Sequence, residues 1–392
     1  MIKAATEKAS PNRAGRYVHQ PAGYRAFIPT PLPPNPPVRI EGKLQELLSQ
    51  ADRALGRLDG SIQTLPNPEL FVFMYVRKEA VLSSQIEGTQ SSLQDLLAAE
   101  ARIFSPKQPE DVDEVINYVN AMNYCLQRLE QLPVSARLFR EIHTRLMKGV
   151  RGSRLTPGEL RTSQNWIGPS GCTLNEATFV PPPPAEVPRA LGDLESFLHR
   201  DTALPLLIKI GLAHAQFETI HPFLDGNGRI GRLLITFLLC ECKTLGKPVL
   251  YLSYFFKRKR QQYYALLQAV RDTGDWESWL TFFLEGIIAV SGQATDTARH
   301  ILALREEHRA RITNHFGRAS GNGHKVLEQL YEHPIVSVAD VREITNTTNP
   351  AANQLVNKFV EQGILVEHTG QRRNRRFLYH EYVDLFNDEA GG

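Results

Sequence analysis

The sequence between residues 221 and 232 is His221-Pro-Phe-Leu-Asp-Gly-Asn-Gly-Arg-Ile-Gly-Arg232, and apolar segments predicted to be buried helices lie on both sides of it. Gly226 and Gly228 flank Asn227, and these residue types tolerate positive φ angles better than others. Successive N–H groups can therefore turn toward one point. That point lies at the start of a helix predicted over about 228–245, where the helix dipole adds positive potential. The stretch predicts a phosphate cradle that needs no Walker-type lysine.

The charged residues of the same stretch suit the chemistry of a nucleotide. Arg229 and Arg232 are three residues apart on one helix face, so their two guanidinium groups can hold distal phosphates. Asp225 offers one hard oxygen to Mg²⁺, which keeps most of its waters when it bridges phosphates. His221 precedes a proline, which favours an extended backbone, and the ordinary histidine pKa of about 6.5 suits a general base. Together these residues predict phosphoryl or nucleotidyl transfer.

The stretch resembles, without a gap or a mismatch, the HPFx(D/E)GNGRxxR signature of Fic-domain proteins. The resemblance covers about residues 20–290. It implies transfer of AMP from ATP to a Ser, Thr or Tyr hydroxyl of a target protein, with release of pyrophosphate. It implies that His221 is the catalytic base and that Asp225 holds Mg²⁺. It also implies that the following residues bind the nucleotide: Gly226, Asn227, Gly228, Arg229, Ile230, Gly231 and Arg232.

A second match lies upstream in Ser83-Ser-Gln-Ile-Glu87-Gly88, which resembles the (S/T)xxxE(G/N) inhibitory motif of the same family. A carboxylate presented to Arg232 would compete with the γ-phosphate for the same guanidinium group. ATP bound in that state would have its α-phosphate misaligned for in-line attack. The resemblance therefore implies inhibition in cis by Glu87, with Ser83 and Gly88 completing the inhibitory motif and Gly88 ending the helix.

Other segments resemble the family less specifically. Residues 173–180, followed by four prolines, resemble a flap that docks a target segment by strand addition. Tyr263 and Tyr264 match a tyrosine pair that lines the adenine pocket in relatives, although one tyrosine of such a pair is ordinarily part of a core. Gly158-Glu-Leu-Arg161 and Asn165-Trp166 also fit the family pattern, and the sequence leaves open whether they are purely structural.

Composition narrows the class of protein. The 392 residues exceed the size at which a single core stops growing, about 250–300 residues, so two or more domains are predicted. A net charge of +3 is too balanced for a protein that coats nucleic acid. The four cysteines form no CxxC pair, the longest apolar run is too short for a membrane span, and residues 1–20 lack a signal-peptide core. These observations predict a cytoplasmic, reduced protein without a membrane partner.

Local patterns predict a mainly α fold class, with an all-helical Fic core, a small β-hairpin flap and a C-terminal winged helix-turn-helix domain. Five segments are predicted: an extended Pro-rich strap (1–40), an N-terminal helical region with the inhibitory motif (41–100), the Fic catalytic core (101–290), a linker helix (291–320) and the winged helix domain (321–392). The strap is predicted because six of residues 28–37 are prolines. Residues 317–323, GRASGNG, predict a flexible break.

The last 70 or so residues predict the element order of a winged helix. The predicted helices are 324–331, 338–345 and 350–362, and the strands 364–366 and 377–379 enclose a wing that contains Arg372, Arg373, Arg375 and Arg376. Four arginines suit a phosphate backbone, but the helix over 350–362 offers no arginine to a major groove. DNA binding is only weakly supported, and contact with proteins is an equally good prediction.

Three functions stay open at this level. The leading one is a cis-inhibited protein adenylyltransferase that uses ATP and Mg²⁺. In the second, Glu87 positions a water that removes AMP from the target. In the third, a transcriptional regulator senses a nucleotide and acts through the winged helix, but the intact His221 argues against it because sensing needs no base. The sequence does not name the target, and it leaves open whether a change of oligomer, self-modification or a partner relieves inhibition. The resemblance alone implies a homodimer.

Overall fold

The computed structural model describes residues 12–65, 68–101, 103, 109–150, 155–169, 171–370 and 374–387. Its helices are α1 (Lys43–Gln63), α2 (Pro68–Ile86), α3 (Leu93–Glu100), α4 (Val112–Arg128), α5 (Ala136–Leu146), α6 (Val187–His199), α7 (Leu206–Ile220), α8 (Asn227–Glu241), α9 (Ser253–Arg258), α10 (Arg260–Thr273), α11 (Trp276–His315), α12 (Ser320–Leu330), α13 (Val338–Thr345), α14 (Asn349–Glu361) and α15 (His380–Asp384). Its strands are β1 (Gly15–His19), β2 (Arg25–Pro29), β3 (Ile335–Ser337), β4 (Val366–Glu367) and β5 (Arg376–Leu378). The predicted fold class, mainly α with a small antiparallel hairpin, is confirmed.

The chain divides into two compact units. The first comprises Met1–Arg53, Asn120–Glu241 and Phe255–Ile288, and the second comprises Ala54–Val119, Cys242–Tyr254 and Ala289–Gly392. The five-segment division made from the sequence stays a prediction. Among the residues that the structure describes, no helix has both the length and the apolar character needed to cross a membrane.

Helices α7 and α8 form the centre of the first unit. Every residue of α7 from Leu207 to Ile220 except Lys209 is buried, and α8 is buried from Arg229 to Leu239. A helix that is apolar on all sides must pack on all sides, and α11 covers one of these sides. There the Trp279 indole N–H donates to the carbonyl of Gly211 over 2.8 Å. The connection between α7 and α8 is the stretch that begins at His221.

The N-terminal segment, predicted as an extended strap, contains a hairpin that the sequence did not predict. Strands β1 and β2 pair antiparallel, with Gly15 opposite Pro29. Ala26 and Phe27 of β2 are fully buried, and the Phe27 N–H donates to the carbonyl of Val180 over 2.9 Å. The hairpin thereby reaches the predicted flap.

The flap itself is built on one antiparallel bridge. Ile167 and Phe179 exchange two backbone hydrogen bonds of 2.8 and 3.0 Å. Between them a 3-10 turn, Leu174–Glu176, is capped by Thr173, whose N–H and hydroxyl both donate to the Glu176 carboxylate. The predicted antiparallel flap is therefore present.

In the second unit the C-terminal elements follow the predicted order of helix, strand, helix, helix, strand, strand. Strand β5 lies between β3 and β4, and both pairings are antiparallel. Helix α13 has its predicted bounds, and α14 begins one residue ahead of its predicted start. Assignment of these elements to a winged helix stays a prediction.

The predicted flexible break at residues 317–323 is wrong. A 3-10 turn occupies Gly317–Ala319, and α12 begins directly at Ser320. A Cβ atom at Gly323 would lie 2.7 Å from Cγ2 of Ile312, so this glycine allows two helices to pack closely. The glycines of this segment predicted flexibility, but Gly323 is there because its small size allows α11 and α12 to pack closely.

The predicted wing is described only in part. Arg372 and Arg373 lie outside the described residues. Arg375 donates to the amide oxygen of Asn353 over 3.4 Å, and Arg376 pairs with Asp340 at 3.2 Å. Half of the predicted basic cluster therefore has partners within its own unit.

Candidate active site

His221 ends α7 in the left-handed conformation, with φ 50° and ψ 61°. Its N–H donates to the carbonyl of Phe217 over 2.9 Å, which completes the last turn. The extended backbone that Pro222 predicted for His221 is therefore wrong. The conformation of His221 is set by its position at the end of α7 and not by the proline that follows. A left-handed residue with a Cβ costs about 1–2 kcal/mol, which the surrounding contacts have to offset.

Asn227 holds the loop between the two helices. Its side-chain oxygen accepts from the Phe223 N–H, and its side-chain nitrogen donates to the Phe223 carbonyl, each over 2.8 Å. Both groups of the buried amide are thus used within the loop. The Asn227 side chain fixes the turn and leaves its backbone N–H to the start of α8.

The start of α8 has the geometry of an anion-binding site. Gly226 adopts a φ of +75°, and a Cβ there would lie 3.1 Å from the sulfur of Met147. Its carbonyl accepts the Ile230 N–H over 3.2 Å, the first bond of the helix. The N–H groups of Asn227, Gly228 and Arg229 belong to the first turn, which has no acceptors within the helix. The sequence assigned the N–H groups of Gly226, Asn227 and Gly228 to phosphate. Those of Asn227 and Gly228 are in this first turn, whereas the Gly226 N–H donates to Oδ1 of Asp225 over 2.6 Å.

Both arginines of the stretch are buried. Arg229 is 2% exposed, and its Nη2 lies 3.5 Å from the sulfur of Met147 and 3.8 Å from Oδ1 of Asp225. Arg232 is buried one turn further along α8. A guanidinium group removed from water needs anionic or polar partners, so two buried arginines in the first turns of α8 suit an anionic ligand.

Ile230 and Gly231, which the sequence assigned to nucleotide binding, have packing roles in the structure. Ile230 is fully buried. A Cβ atom on Gly231 would lie 2.2 Å from Oε1 of Glu218 on α7, so any other residue would force that buried carboxylate to move. Their direct contact with a nucleotide stays a prediction.

Asp225 provides a half-buried carboxylate next to the phosphate-binding turn. Its Oδ1 accepts the Gly226 N–H over 2.6 Å. Within the described parts of the chain, no three His, Cys, Asp or Glu side chains are grouped so that they could hold a metal ion. A site with one carboxylate fits Mg²⁺ that takes its other oxygens from phosphates and water, and does not fit an ion held by the protein alone.

His143 on α5 is a member of the site that the sequence did not reveal. Its Nδ1 accepts the Gly158 N–H over 2.8 Å, so the proton is on Nε2, which donates to the Asp225 carbonyl over 3.1 Å. Its ring stacks on Phe223 with centroids 4.0 Å apart. Burial lowers the pKa of His143 to about 4. A neutral imidazole with one fixed tautomer therefore contacts the loop at Phe223 and at Asp225.

The predicted adenine pair is divided between core and surface. Tyr263 is 1% exposed and its hydroxyl lies 2.9 Å from Nε2 of His214, whose Nδ1 lies 2.7 Å from the Gly231 carbonyl. That arrangement requires Nδ1 of His214 to donate and Nε2 to accept. Burial, aided by the charge of Arg232, lowers the pKa of His214 to about 3. Tyr264 is 38% exposed, so it alone of the pair offers much of its ring to a ligand.

The predicted inhibitory residues lie in the second unit. Ser83 is fully buried on α2, which ends at Ile86. The Glu87 N–H donates to the Ser84 carbonyl over 3.0 Å, and Gly88 has a φ of +103°. Glu87 is exposed at this helix end. The predicted stop of the helix at Gly88 is confirmed, and the inhibitory role stays a prediction.

Comparison with known proteins gives matches along much of the chain. Residues 45–127 match the Fic/DOC family N-terminal region, and residues 133–239 match the Fic/DOC family. The chain is 30% identical over 179 residues to a probable protein adenylyltransferase of Aquifex aeolicus, which covers 44% of this chain and 50% of the relative. It is 27% identical over 258 residues to the protein adenylyltransferase Fic of Drosophila yakuba, with 62% and 46% covered. The chain thus spans about half the length of these curated relatives.

Solved structures show the same fold. A Fic family protein from Desulfovibrio desulfuricans superposes with a TM-score of 0.57 at 20% identity, covering 88% of this chain and 97% of that one. A Fic domain containing signaling protein from Bacteroides thetaiotaomicron gives a TM-score of 0.52 at 18% identity, covering 66% and 97%. At these identities the likeness concerns the fold alone.

Proposed function

We propose that this chain, which matches the Fic/DOC family N-terminal region over residues 45–127 and the Fic/DOC family over residues 133–239, is a protein adenylyltransferase. It transfers AMP from ATP to a Ser, Thr or Tyr hydroxyl of a target protein and releases pyrophosphate. The observation that carries this proposal is the loop from His221 to Asn227, which places a histidine beside a helix start with two buried arginines.

In the proposed reaction His221 takes the proton of the target hydroxyl. The hydroxyl oxygen then attacks the α-phosphorus of ATP, and the bond from that phosphorus to the bridging oxygen of the β-phosphate breaks. The N–H groups at the start of α8 bind the charge that develops on the phosphate oxygens. Arg229 and Arg232 bind the distal phosphates, which leave as pyrophosphate. Asp225 carries the one carboxylate of the loop and is half-buried, which supports it as the residue that would hold Mg²⁺; the ion would supply charge neutralisation.

Adenine would pack on the surface that Tyr264 provides. Its ring centroid lies 5.1 Å from that of Tyr263, whose own hydroxyl is engaged by His214. The buried ring of Tyr263 then packs against the ring of Tyr264 and holds it in position. Exchange of Tyr264 should weaken ATP binding without unfolding, whereas exchange of Tyr263 should do both.

Regulation by Glu87 completes the proposal. The Glu87 carboxylate competes with the γ-phosphate for Arg232, so that the wild type transfers AMP slowly. The exposed position of Glu87 directly after a helix supports this role, since little has to unfold for it to bind or to leave. The same proposal includes self-modification, a homodimer, a cytoplasmic location and target docking by the predicted winged helix domain, residues 321–392.

The test is transfer of label from ATP that is radioactive at the α-phosphate. Glu87→Gly protein, incubated with Mg²⁺ and either alone or with a cell lysate, should label itself or lysate proteins. The double variant with His221→Ala should transfer no label and should still melt at the temperature of its parent. Label that persists in the double variant would remove His221 as the base.

A further inference from the structure

Three consecutive carbonyl groups of the catalytic loop are bound by one short segment, residues 161–165. Nε of Arg161 donates to the His221 carbonyl over 2.9 Å, and the Arg161 backbone N–H donates to the Pro222 carbonyl over 3.0 Å. The side-chain nitrogen of Asn165 donates to the Phe223 carbonyl over 2.9 Å. Residues 161–165 thus donate to the carbonyls of residues 221, 222 and 223, and the Phe223 carbonyl also accepts from the side chain of Asn227.

The side chain of Arg161 lies at the C-terminal end of α7. The residue is 2% exposed, and burial lowers the pKa of its guanidinium group to about 10, so the group stays charged at neutral pH. Its Nη2 donates to the Pro182 carbonyl and lies 3.4 Å from the Ile220 carbonyl. The last carbonyls of a helix lack partners within the helix and carry partial negative charge, which a cation at that end satisfies.

The same segment continues into the flap. The side chain of Gln164 donates to the Pro181 carbonyl over 3.0 Å, and Ile167 pairs with Phe179. Pro181 and Pro182 follow the flap directly. Residues 161–167 therefore contact both the loop that carries His221 and the flap that would carry the target.

We propose that Arg161 and Asn165 are positioning residues that set the imidazole of His221 against the target hydroxyl. Their bonds to the carbonyls of His221 and Phe223 hold His221 in its left-handed conformation, from which the direction of the ring follows. This inference rests on the proposed adenylyl transfer. Proton abstraction depends steeply on such placement, since an error of about 1 Å can cost about a hundredfold in rate.

Arg271 offers a matched control. It is also a buried arginine, its guanidinium lies 3.8 Å from the ring centroid of Phe179 in the flap, and burial likewise lowers its pKa to about 10. It donates to the hydroxyl of Thr219 and the carbonyl of Glu218, one turn before His221. Arg271→Lys thus also removes guanidinium contacts with α7 and with the flap, but it leaves the hydrogen bonds to the carbonyls of residues 221–223 in place.

The experiment compares Arg161→Lys with Arg271→Lys, both in the Glu87→Gly protein. A lysine cannot reproduce the planar fork of donors, so the side-chain bonds of Arg161 are lost, while its charge and its backbone bond to the Pro222 carbonyl are kept. Three quantities are measured: transfer of labelled AMP, the dissociation constant of ATP, and the imidazole NMR signals of His221, assigned by their loss in His221→Ala. Arg161→Lys should move the His221 signals and lower transfer about ten- to a hundredfold at an unchanged ATP affinity, and Arg271→Lys should do neither.

Equal behaviour of the two variants in the NMR spectrum would overturn the inference, and so would loss of transfer with unmoved His221 signals. If Arg161→Lys does not fold, Asn165→Asp decides in the same way, because it removes one donor at nearly constant size. His221 signals that move only in the Arg161 or Asn165 variant, in a parent that transfers no AMP, would support the positioning role and refute the proposed function.

Discussion

At the scale of single residues, His143 has only one hydrogen-bond arrangement that satisfies both of its ring nitrogens. Nδ1 accepts from Gly158, and Nε2 donates to the Asp225 carbonyl. A proton added to Nδ1 would have to displace the Gly158 N–H in a buried environment. Burial, which disfavours the charged imidazolium, is the main reason why the pKa of His143 falls to about 4, and the charge of Arg229 lowers it further.

The depressed pKa of His143 predicts a loss of stability in acid. Between pH 6.5 and about 4 the unfolded chain binds a proton at this histidine and the folded chain does not, so the free energy of unfolding decreases as the pH falls. The decrease is on the order of 3 kcal/mol. Thermal melting of the wild type and His143→Gln over this range measures it.

His143→Gln should be less stable than the wild type at pH 7 and should lose less stability on acidification. His214, whose pKa is about 3, adds a decrease of the same sign, but it is present in both proteins and cancels in the comparison. Parallel melting curves for the two proteins across the whole range would show that His143 is protonated as easily in the folded state as in the unfolded one.

At the scale of elements, the contact between α7 and α8 depends on a glycine. Gly231→Ala should destabilise the protein although alanine is the better helix former, because the new Cβ meets the Glu218 carboxylate. Gly192→Ala is the control on α6, where nothing lies within 4 Å of the added atom. It should stabilise by up to about 1 kcal/mol. Chemical unfolding of both variants tests this, and a gain for Gly231→Ala would mean that the carboxylate lies elsewhere.

The elements also show what sequence can predict. The bounds of α7 and α8 follow within a few residues because both are long apolar helices and a Gly-Asn-Gly turn separates them. The hairpin β1–β2 was missed because the prolines of residues 28–37, which follow it, set the expectation of an extended strap for the whole of residues 1–40. Residues 317–323 were misjudged because a glycine has the same local signature whether it bends the chain or admits a neighbour.

The site shows the same division between local and distant information. The loop from His221 to Arg232 is contiguous, so its roles can be predicted from spacing and residue type. His143 is 82 residues from the loop residue that it binds, and Arg161 is 60 residues from its own. No pattern in the local sequence predicts contacts at such separations. His214 lies within an apolar helix, and a lone histidine in such a helix is ordinarily part of the core. Its hydrogen bond to Tyr263 cannot be predicted from sequence because the two residues come together only on folding.

At the scale of the whole molecule, the second unit carries the glutamate that would regulate the first. Glu87→Gly should raise self-labelling by AMP at least tenfold, since it frees Arg232 for the γ-phosphate. Glu110→Gly is the matched control, because it removes an exposed glutamate from a turn of the same unit. Label transferred per minute is compared at equal protein concentration. An equal response of both variants, or a slower Glu87→Gly, would count against inhibition in cis.

The central claim is that this chain transfers the adenylyl group, and the most direct measurement is which phosphate of ATP becomes bound to protein. Glu87→Gly protein is incubated in parallel with ATP labelled at the α-phosphate and with ATP labelled at the γ-phosphate. Attack at the α-phosphorus predicts that only the α-label stays bound to the protein during denaturing electrophoresis, because the γ-label leaves with pyrophosphate. Protein that carries the γ-label and not the α-label would contradict the account, since it would make the reaction a phosphorylation.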